Sequence, residues 1–86
     1  MKNNILDKPL TLEEAREKAE KYAKENGLKL GKLRSSNYFG DMVIDESYVF
    51  EADDPEDDGL IVGLPLYITV SKNIDWVAQG RFMLNE

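Results

Sequence analysis

Cysteine and histidine are both absent from this chain of 86 residues. Without cysteine there can be no disulfide, no zinc–thiolate site and no thiol nucleophile. Without histidine the chain lacks the commonest general base and the commonest ligand for transition metals. Ser35, Ser36 and Ser47 have no imidazole to activate them, and the sequence contains no glycine-rich phosphate loop. These absences predict a protein that is not an enzyme and that binds no cofactor.

Long apolar runs are also scarce. The one extended run, Leu60 to Val70, is interrupted by Gly63 and Pro65 and is shorter than the roughly 20 residues that a membrane helix needs. Residues 1–7 lack the apolar segment of a signal peptide. Together with the absence of cysteine, this pattern predicts a cytoplasmic protein that does not associate with membranes.

Positive charge is scarce in the second part of the chain. Residues 1–34 carry a net charge of +3, whereas residues 35–86 carry −9, which gives −6 overall. Binding to phosphate backbones requires clustered lysine and arginine, so nucleic acid is not an expected partner. An excess of acid on a small domain favours solubility, and it can also steer a basic partner towards the surface.

The clearest local signal is a helix from Thr11 to about Asn26. Thr11 and Glu14 form a T-x-x-E capping box, and Gly27 is placed to end the helix in the left-handed conformation. We expect residues 1–10 to form a flexible lead-in. The apolar positions recur at helical spacing and predict one buried stripe: Leu12, Ala15, Ala19, Tyr22 and Ala23.

Strand patterns follow the helix. Weak alternation of apolar and polar residues predicts a first strand at 28–34. The pair Gly40-Asp41 predicts a tight turn, and a second strand is expected at 47–52. In the run from 60 to 70, alternation from Leu64 onward predicts a half-buried central strand. After a turn at Lys72-Asn73, which could extend through Asp75, a last strand is expected from Trp76 to Met83, with a bulge or a bend at Gly80.

These elements predict an α+β fold. One N-terminal helix packs on a three- to four-stranded antiparallel sheet, and residues 11–86 form a single domain. A single helix covers only one face of the sheet, so the other face is expected to be solvated or covered by a second copy or a partner. Residues that the alternation assigns in part to that face are Val49, Tyr67, Thr69, Val77 and Gln79.

Binding of a protein through this open face or an edge of the sheet is the first functional hypothesis, with Tyr67, Thr69 and Trp76 as candidate contacts. The partner would be another protein or a second copy in a homodimer. Trp76 is also a typical residue for the edge of a core. Exposure of Tyr38 and Phe39 would indicate a contact patch. The proline at position 65 marks a strand start, a bulge or an edge.

The acidic loop from Asp53 to Gly59 is the basis of the alternative hypothesis, an immunity- or antitoxin-type antagonist of a basic partner. Its candidate contacts are acidic residues in and beside the loop: Glu51, Asp53, Asp54, Glu56, Asp57 and Asp58. Asp54, Glu56 and Asp58 occupy positions 1, 3 and 5 of a calcium loop, but position 12 is Pro65 instead of glutamate. We therefore expect a solvated turn and no metal site. Binding by this loop would weaken steeply with salt, whereas binding by an apolar face would not.

Three segments together resemble a known family: residues 11–15 with Ala19 and Ala23, then 47–52, then 66–70 followed by a turn. This arrangement is similar to the PepSY-type modules of the wider cystatin-like α+β class. The resemblance covers residues 11 to about 80 and implies a helix-plus-sheet module that binds proteins or regulates proteases. Val77-Ala78-Gln79-Gly80 does not match the inhibitory hairpin signature of cystatins, in which glutamine precedes valine and glycine.

Overall fold

Four antiparallel strands follow one helix in the computed structural model, which describes residues 6–39, 45–56 and 64–84. The elements are α1 (Leu12–Glu25), β1 (Lys29–Tyr38), β2 (Ser47–Asp53), β3 (Leu66–Ser71) and β4 (Val77–Arg81). The strands lie in the order β1-β2-β3-β4, and each pairs antiparallel with the next. The predicted α+β fold is confirmed. Within the described residues, no helix is long and apolar enough to cross a membrane.

The ends of α1 are those that the sequence predicts. Thr11 Oγ1 accepts a hydrogen bond from the backbone N–H of Glu14 at 3.2 Å, and Glu14 Oε1 accepts one from the Thr11 N–H at 3.0 Å. This capping box satisfies two donors that the first turn of a helix leaves unpaired. At the other end, Asn26 is the C-cap, and Gly27 has a φ of 70°, a backbone conformation that glycine adopts without strain.

Alanines let α1 lie close to the sheet. Ala15, Ala19 and Ala23 are buried against one face, which we call the helix face. The core between helix and sheet consists of these alanines with six larger residues: Leu28, Tyr48, Phe50, Leu66, Ile68 and Val70. The predicted role of Leu12 in this core is wrong because its side chain is exposed. Leu10, which precedes the cap, packs against the core at that end.

The central strand is shorter than predicted and more deeply buried. β3 begins at Leu66; Leu64 is exposed and Pro65 precedes the strand, while 60–63 lies outside the described residues. All six residues of β3 are buried, whereas the alternation predicts burial on one face only. The half-buried prediction is wrong because β3 is an inner strand that is covered on both faces.

β1 is longer and less regular than predicted. It runs from Lys29 to Tyr38, and its pairing with β2 shifts register three times. Gly31 lies against Glu51 so closely that a Cβ at position 31 would be 2.9 Å from the Cβ of Glu51. Bulges of this kind bend a strand and increase its twist. The predicted turn at Gly40-Asp41 lies outside the described residues.

β4 pairs with β3 without any register shift, so of the two predicted alternatives at Gly80, a bulge or a bend, the bulge is wrong. Gly80 lies directly opposite Tyr67. Val77 packs against the helix-side core, and Gln79 Oε1 accepts a hydrogen bond from the Tyr22 hydroxyl of α1 at 3.2 Å. Both side chains therefore point to the helix face and not to the open face that the sequence pattern suggests.

The connection between β3 and β4 spans residues 72–76, the longer of the two predicted turns, and Ser71 N–H donates to the Trp76 carbonyl at 3.0 Å. Residues 6–10 lie along this connection. The N–H groups of Leu6 and Leu10 donate to the carbonyls of Asn73 and Lys72, each at 2.8 Å. The segment that precedes the helix is therefore hydrogen-bonded to the end of the sheet.

Candidate functional site

The face of the sheet away from α1, which we call the opposite face, is covered in part by the chain itself. Tyr67 and Thr69 point to this face and are only 4% and 5% exposed. The ring of Phe82 lies 4.9 Å from that of Tyr67 and stacks on that of Tyr38 at 5.6 Å. Tyr38 is the last residue of the edge strand β1, and Phe82 follows the other edge strand, β4. Because their rings are in contact, the sheet must be curled so that its two edges approach each other on this face. We call these three rings the aromatic stack.

A polar cluster also lies on the opposite-face side, where β2 begins and β3 ends. Asp45 accepts hydrogen bonds from the Ser71 hydroxyl at 2.5 Å and from the Asn73 backbone at 2.7 Å and side chain at 3.0 Å. Burial alone would raise the pKa of Asp45, but the hydrogen bonds from Asn73 and Ser71 outweigh it and hold the pKa below its usual range. Ser71 is buried, and these hydrogen bonds join the end of β3 and the following turn to the segment that precedes β2.

Of the three candidate contacts on the sheet, Tyr67, Thr69 and Trp76, only Trp76 offers surface to a partner. Trp76 is 40% exposed, just before β4, whereas Tyr67 and Thr69 are buried under the curled sheet. Phe39 and Met83 are more exposed, at 66% and 67%, and they follow Tyr38 and Phe82 of the aromatic stack in sequence. The sequence indicates Phe39 as a contact residue. It does not indicate Met83 as a contact residue, because the predicted last strand extends to Met83.

The acidic candidates are partly neutralised by neighbouring groups. Glu51 forms an ion pair with Arg34 at 2.9 Å, and Asp54 accepts the backbone N–H of Glu56 at 3.0 Å. Asp53 and Glu56 are exposed. Asp57 and Asp58 lie outside the described residues, and Asp58 is the candidate at position 5 of the calcium loop. Across 6–39, 45–56 and 64–84, no three acidic side chains converge in a way that could hold a metal ion.

A pocket of about 340 Å³ lies at the Asp53 end of β2. Its lining combines two arginines, three carboxylates and an aromatic ring with apolar residues: Arg34, Glu51, Ala52, Asp53, Asp54, Pro65, Leu66, Tyr67 and Arg81. Arg34 donates to Glu51, and Arg81 donates to the Leu64 carbonyl at 2.9 Å. The pocket lining therefore carries two positive and three negative side chains, of which Arg34 and Glu51 form an ion pair.

The outer side of β4 exposes backbone hydrogen-bonding groups. On the side that faces β3, the Trp76 carbonyl accepts a hydrogen bond from the Ser71 N–H, and the Phe82 N–H donates one to the Pro65 carbonyl. Antiparallel strands alternate these directions residue by residue, so the N–H and C=O of Val77, Gln79 and Arg81 point away from β3. In the described part of the chain, no backbone hydrogen bond joins Val77 or Gln79 to another segment. The edge is therefore open to an added strand.

Comparisons with known proteins do not identify relatives: no protein-family model matches the chain, and neither a curated protein nor a solved structure is significantly similar to it.

Proposed function

We propose that this chain is a non-catalytic protein-binding module that pairs an extended segment of its partner with the edge strand β4. The observation that carries the proposal is the regular pairing of β4 with β3, which leaves the N–H and C=O groups of Val77 and Gln79 pointing outward with no backbone hydrogen bond to another described segment. A segment in extended conformation satisfies these groups by forming one more antiparallel or parallel ladder.

The two edges of the sheet differ in a way that favours β4. β1 has three register shifts and exposes Lys29 and Lys32, and both bulges and lysines are devices that prevent edge pairing. β4 has neither, and its sequence contains no proline. A partner strand therefore meets an interrupted ladder at β1 and a continuous one at β4.

Exposed apolar side chains at both ends of β4 supply specificity. Trp76 lies just before the strand and Met83 just after Phe82, so an added strand passes two large apolar groups. Backbone pairing alone is indifferent to sequence, whereas side-chain contacts at alternate positions select a partner. We therefore expect a partner segment with apolar residues near both ends.

A helix followed by a four-stranded meander is compatible with the resemblance to PepSY-type and cystatin-like modules. A binding or regulatory role, which that resemblance implies, is part of this proposal.

The alternative, an acidic antagonist, has less support from the geometry. Glu51 is engaged by Arg34, and the pocket beside Asp53 and Asp54 contains two arginines. These positive charges weaken the field that a basic partner would meet.

The test is a peptide-display selection against the wild-type chain, followed by affinity and amide hydrogen-exchange measurements on the selected peptides. Gln79→Pro removes an outward N–H without removing a bond to β3. Gln79→Ala is the matched control, because it also loses the Tyr22 hydrogen bond but keeps the N–H. We expect binding about tenfold weaker for Gln79→Pro than for Gln79→Ala, since roughly one hydrogen bond is lost.

Hydrogen exchange then locates the contact. Strand addition slows exchange at the amides of Val77 and Gln79 when peptide is added. The opposite outcome has three parts: the peptides bind both variants equally, they protect the amides of Asp53 to Glu56, and their affinity falls steeply as salt rises. That outcome would favour the acidic-antagonist hypothesis over this proposal.

A further inference from the structure

We infer that the step from Asn26 to Gly27, at the end of α1, is a site of spontaneous deamidation, where a side-chain amide is converted to a carboxylate and the backbone in part to an isoaspartyl linkage. The modification loosens the junction between α1 and β1. This inference goes beyond the proposed function and does not depend on it, because the site lies at the end of the helix and not at the β4 edge.

The reaction uses two neighbouring residues and water. The backbone nitrogen of Gly27 attacks Cγ of Asn26, the bond from Cγ to Nδ2 breaks, and ammonia leaves with the proton of the Gly27 N–H. The product is a cyclic imide. Water then opens this ring at one of its two carbonyls. Opening at Cγ leaves an aspartate, and opening at the main-chain carbonyl leaves an isoaspartate, in which the backbone runs through the side chain.

Glycine in the second position makes Asn26 the most reactive of the described asparagines. Any other residue carries a Cβ that crowds the attacking nitrogen, and bulky or β-branched side chains crowd it most. Asn37 precedes a tyrosine and Asn73 an isoleucine. A Cβ built on Gly27 would have no other atom within 4 Å, so no neighbouring element crowds this step of the chain.

Two hydrogen bonds hold this step in its folded geometry. Asn26 Nδ2 donates to the Tyr22 carbonyl at 2.8 Å, and the Gly27 N–H donates to the Lys24 carbonyl at 3.4 Å, which is long for such a bond. Asn26 and Gly27 are both exposed. The exposed ends of elements open at the lowest free energies of local unfolding, so the Gly27 nitrogen can reach Cγ while the rest of the chain stays folded.

The products disturb the place where the chain turns from α1 into the sheet. The Leu28 N–H donates to the Ala23 carbonyl at 2.8 Å, and both side chains belong to the core. An isoaspartate adds a methylene to the backbone between these two residues and so displaces the Leu28 N–H from its acceptor. Either product also replaces an amide donor by a negative charge, beside the Tyr22 carbonyl and at the end of the helix where the dipole disfavours it.

The experiment follows the full chain during incubation at neutral pH and physiological temperature. Peptides are mapped by mass spectrometry with a fragmentation method that distinguishes isoaspartate from aspartate. The peptide that contains Asn26 should gain the mass of amide hydrolysis, while those with Asn37 and Asn73 keep their amides. Asn26→Gln is the matched control, because glutamine retains the amide but would have to close a larger ring. Its peptide should stay unchanged over the same period.

Hydrogen exchange on the aged chain tests the consequence. The Leu28 amide should exchange faster in aged wild-type chain than in fresh chain, while aged and fresh Asn26→Gln should match each other. An Asn26 that keeps its amide as long as Asn37 and Asn73 would overturn the site. Unchanged exchange at Leu28 in chains that carry isoaspartate would overturn its effect on the junction. Peptide binding at β4 is tested separately by Gln79→Pro.

Discussion

The two faces of the sheet are closed by different means. On the helix face, one element with three buried alanines packs over a continuous apolar core around Phe50 and Ile68. On the opposite face, the aromatic stack and the Asp45 cluster cover the sheet with side chains from segments that are far apart in sequence. The helix face is closed by burial of apolar area, and the opposite face by a few specific contacts.

This difference indicates how stability and binding are divided in the molecule. Apolar burial is non-directional and contributes across a whole face, so damage to the helix face should unfold the chain. A few ring and hydrogen-bond contacts are worth less in total, so damage to the opposite face should uncover Tyr67 and Thr69 before it unfolds the chain. Four substitutions test this division.

Phe50→Ala should have the largest effect. Phe50 is fully buried under α1, and Arg16 lies 5.2 Å from its ring centre. Removing the ring leaves a cavity and should lower the free energy of unfolding by about 3–5 kcal/mol, measured by urea denaturation. Phe50→Leu is the control and should cost less than about 2 kcal/mol. Equal losses for both variants would mean that cavity formation is not the cause.

Asp45→Asn should come next, with a loss of about 2 kcal/mol at neutral pH, because the hydrogen bonds are made to a charged carboxylate. The folded-state pKa is lowered, so Asp45 stabilises the fold fully above its unfolded-state pKa of about 4, and this contribution is lost as the pH falls through the folded-state pKa. Unfolding measured from pH 7 to below pH 3 should therefore show the two chains converging in acid. A difference that stays constant with pH would contradict this role of the charge.

Phe82→Ala should cost about 1–2 kcal/mol, because the ring is only partly buried but contacts both Tyr38 and Tyr67. We also expect faster nitration of Tyr67 by tetranitromethane, mapped by mass spectrometry, since its cover is removed. Phe82→Tyr retains a ring at this position and should leave nitration of Tyr67 slow. If Tyr67 stays protected in Phe82→Ala, the aromatic stack is not what covers it.

Lys18→Met should have the smallest effect. The Lys18 pair with Asp75 ties α1 to the β3–β4 connection, but the carboxylate is well exposed, and such pairs contribute less than about 1 kcal/mol. The hydrogen bond and the charge of Lys18 hold the pKa of Asp75 below its usual range. An NMR titration should therefore show this pKa rising in Lys18→Met and unchanged in Lys21→Met, an exposed lysine on the same helix. A loss of several kcal/mol would mean that charge, and not apolar burial, holds the helix face.

The elements that the sequence predicts well have signals within a few residues. The capping box at Thr11, the left-handed Gly27 and the alanine spacing all act within one or two helical turns, and 47–52 alternates clearly enough to place β2. Leu64 shows the limit of such patterns. It continues the alternation of β3, yet it is exposed because it precedes Pro65 and lies outside the ladder.

The candidate site was only partly predictable for the same reason. Trp76 and Phe39 could be named from the sequence because large apolar residues beside turns are frequent contacts. The burial of Tyr67 depends on contacts between residues 38, 67 and 82, which no local pattern encodes.

The sequence by itself determined the helix, its ends, the antiparallel α+β class and the acidic character of the second part of the chain, because these follow from local propensity, capping and composition. Only the tertiary structure decided the curl of the sheet and the burial of β3 on both faces. It also decided the contrast between the two edges of the sheet, irregular at β1 and regular at β4. Those features come from the three register shifts of β1 and from hydrogen bonds such as Asp45 to Asn73, which join residues 28 apart in sequence. Contacts over such distances form only when the whole chain packs.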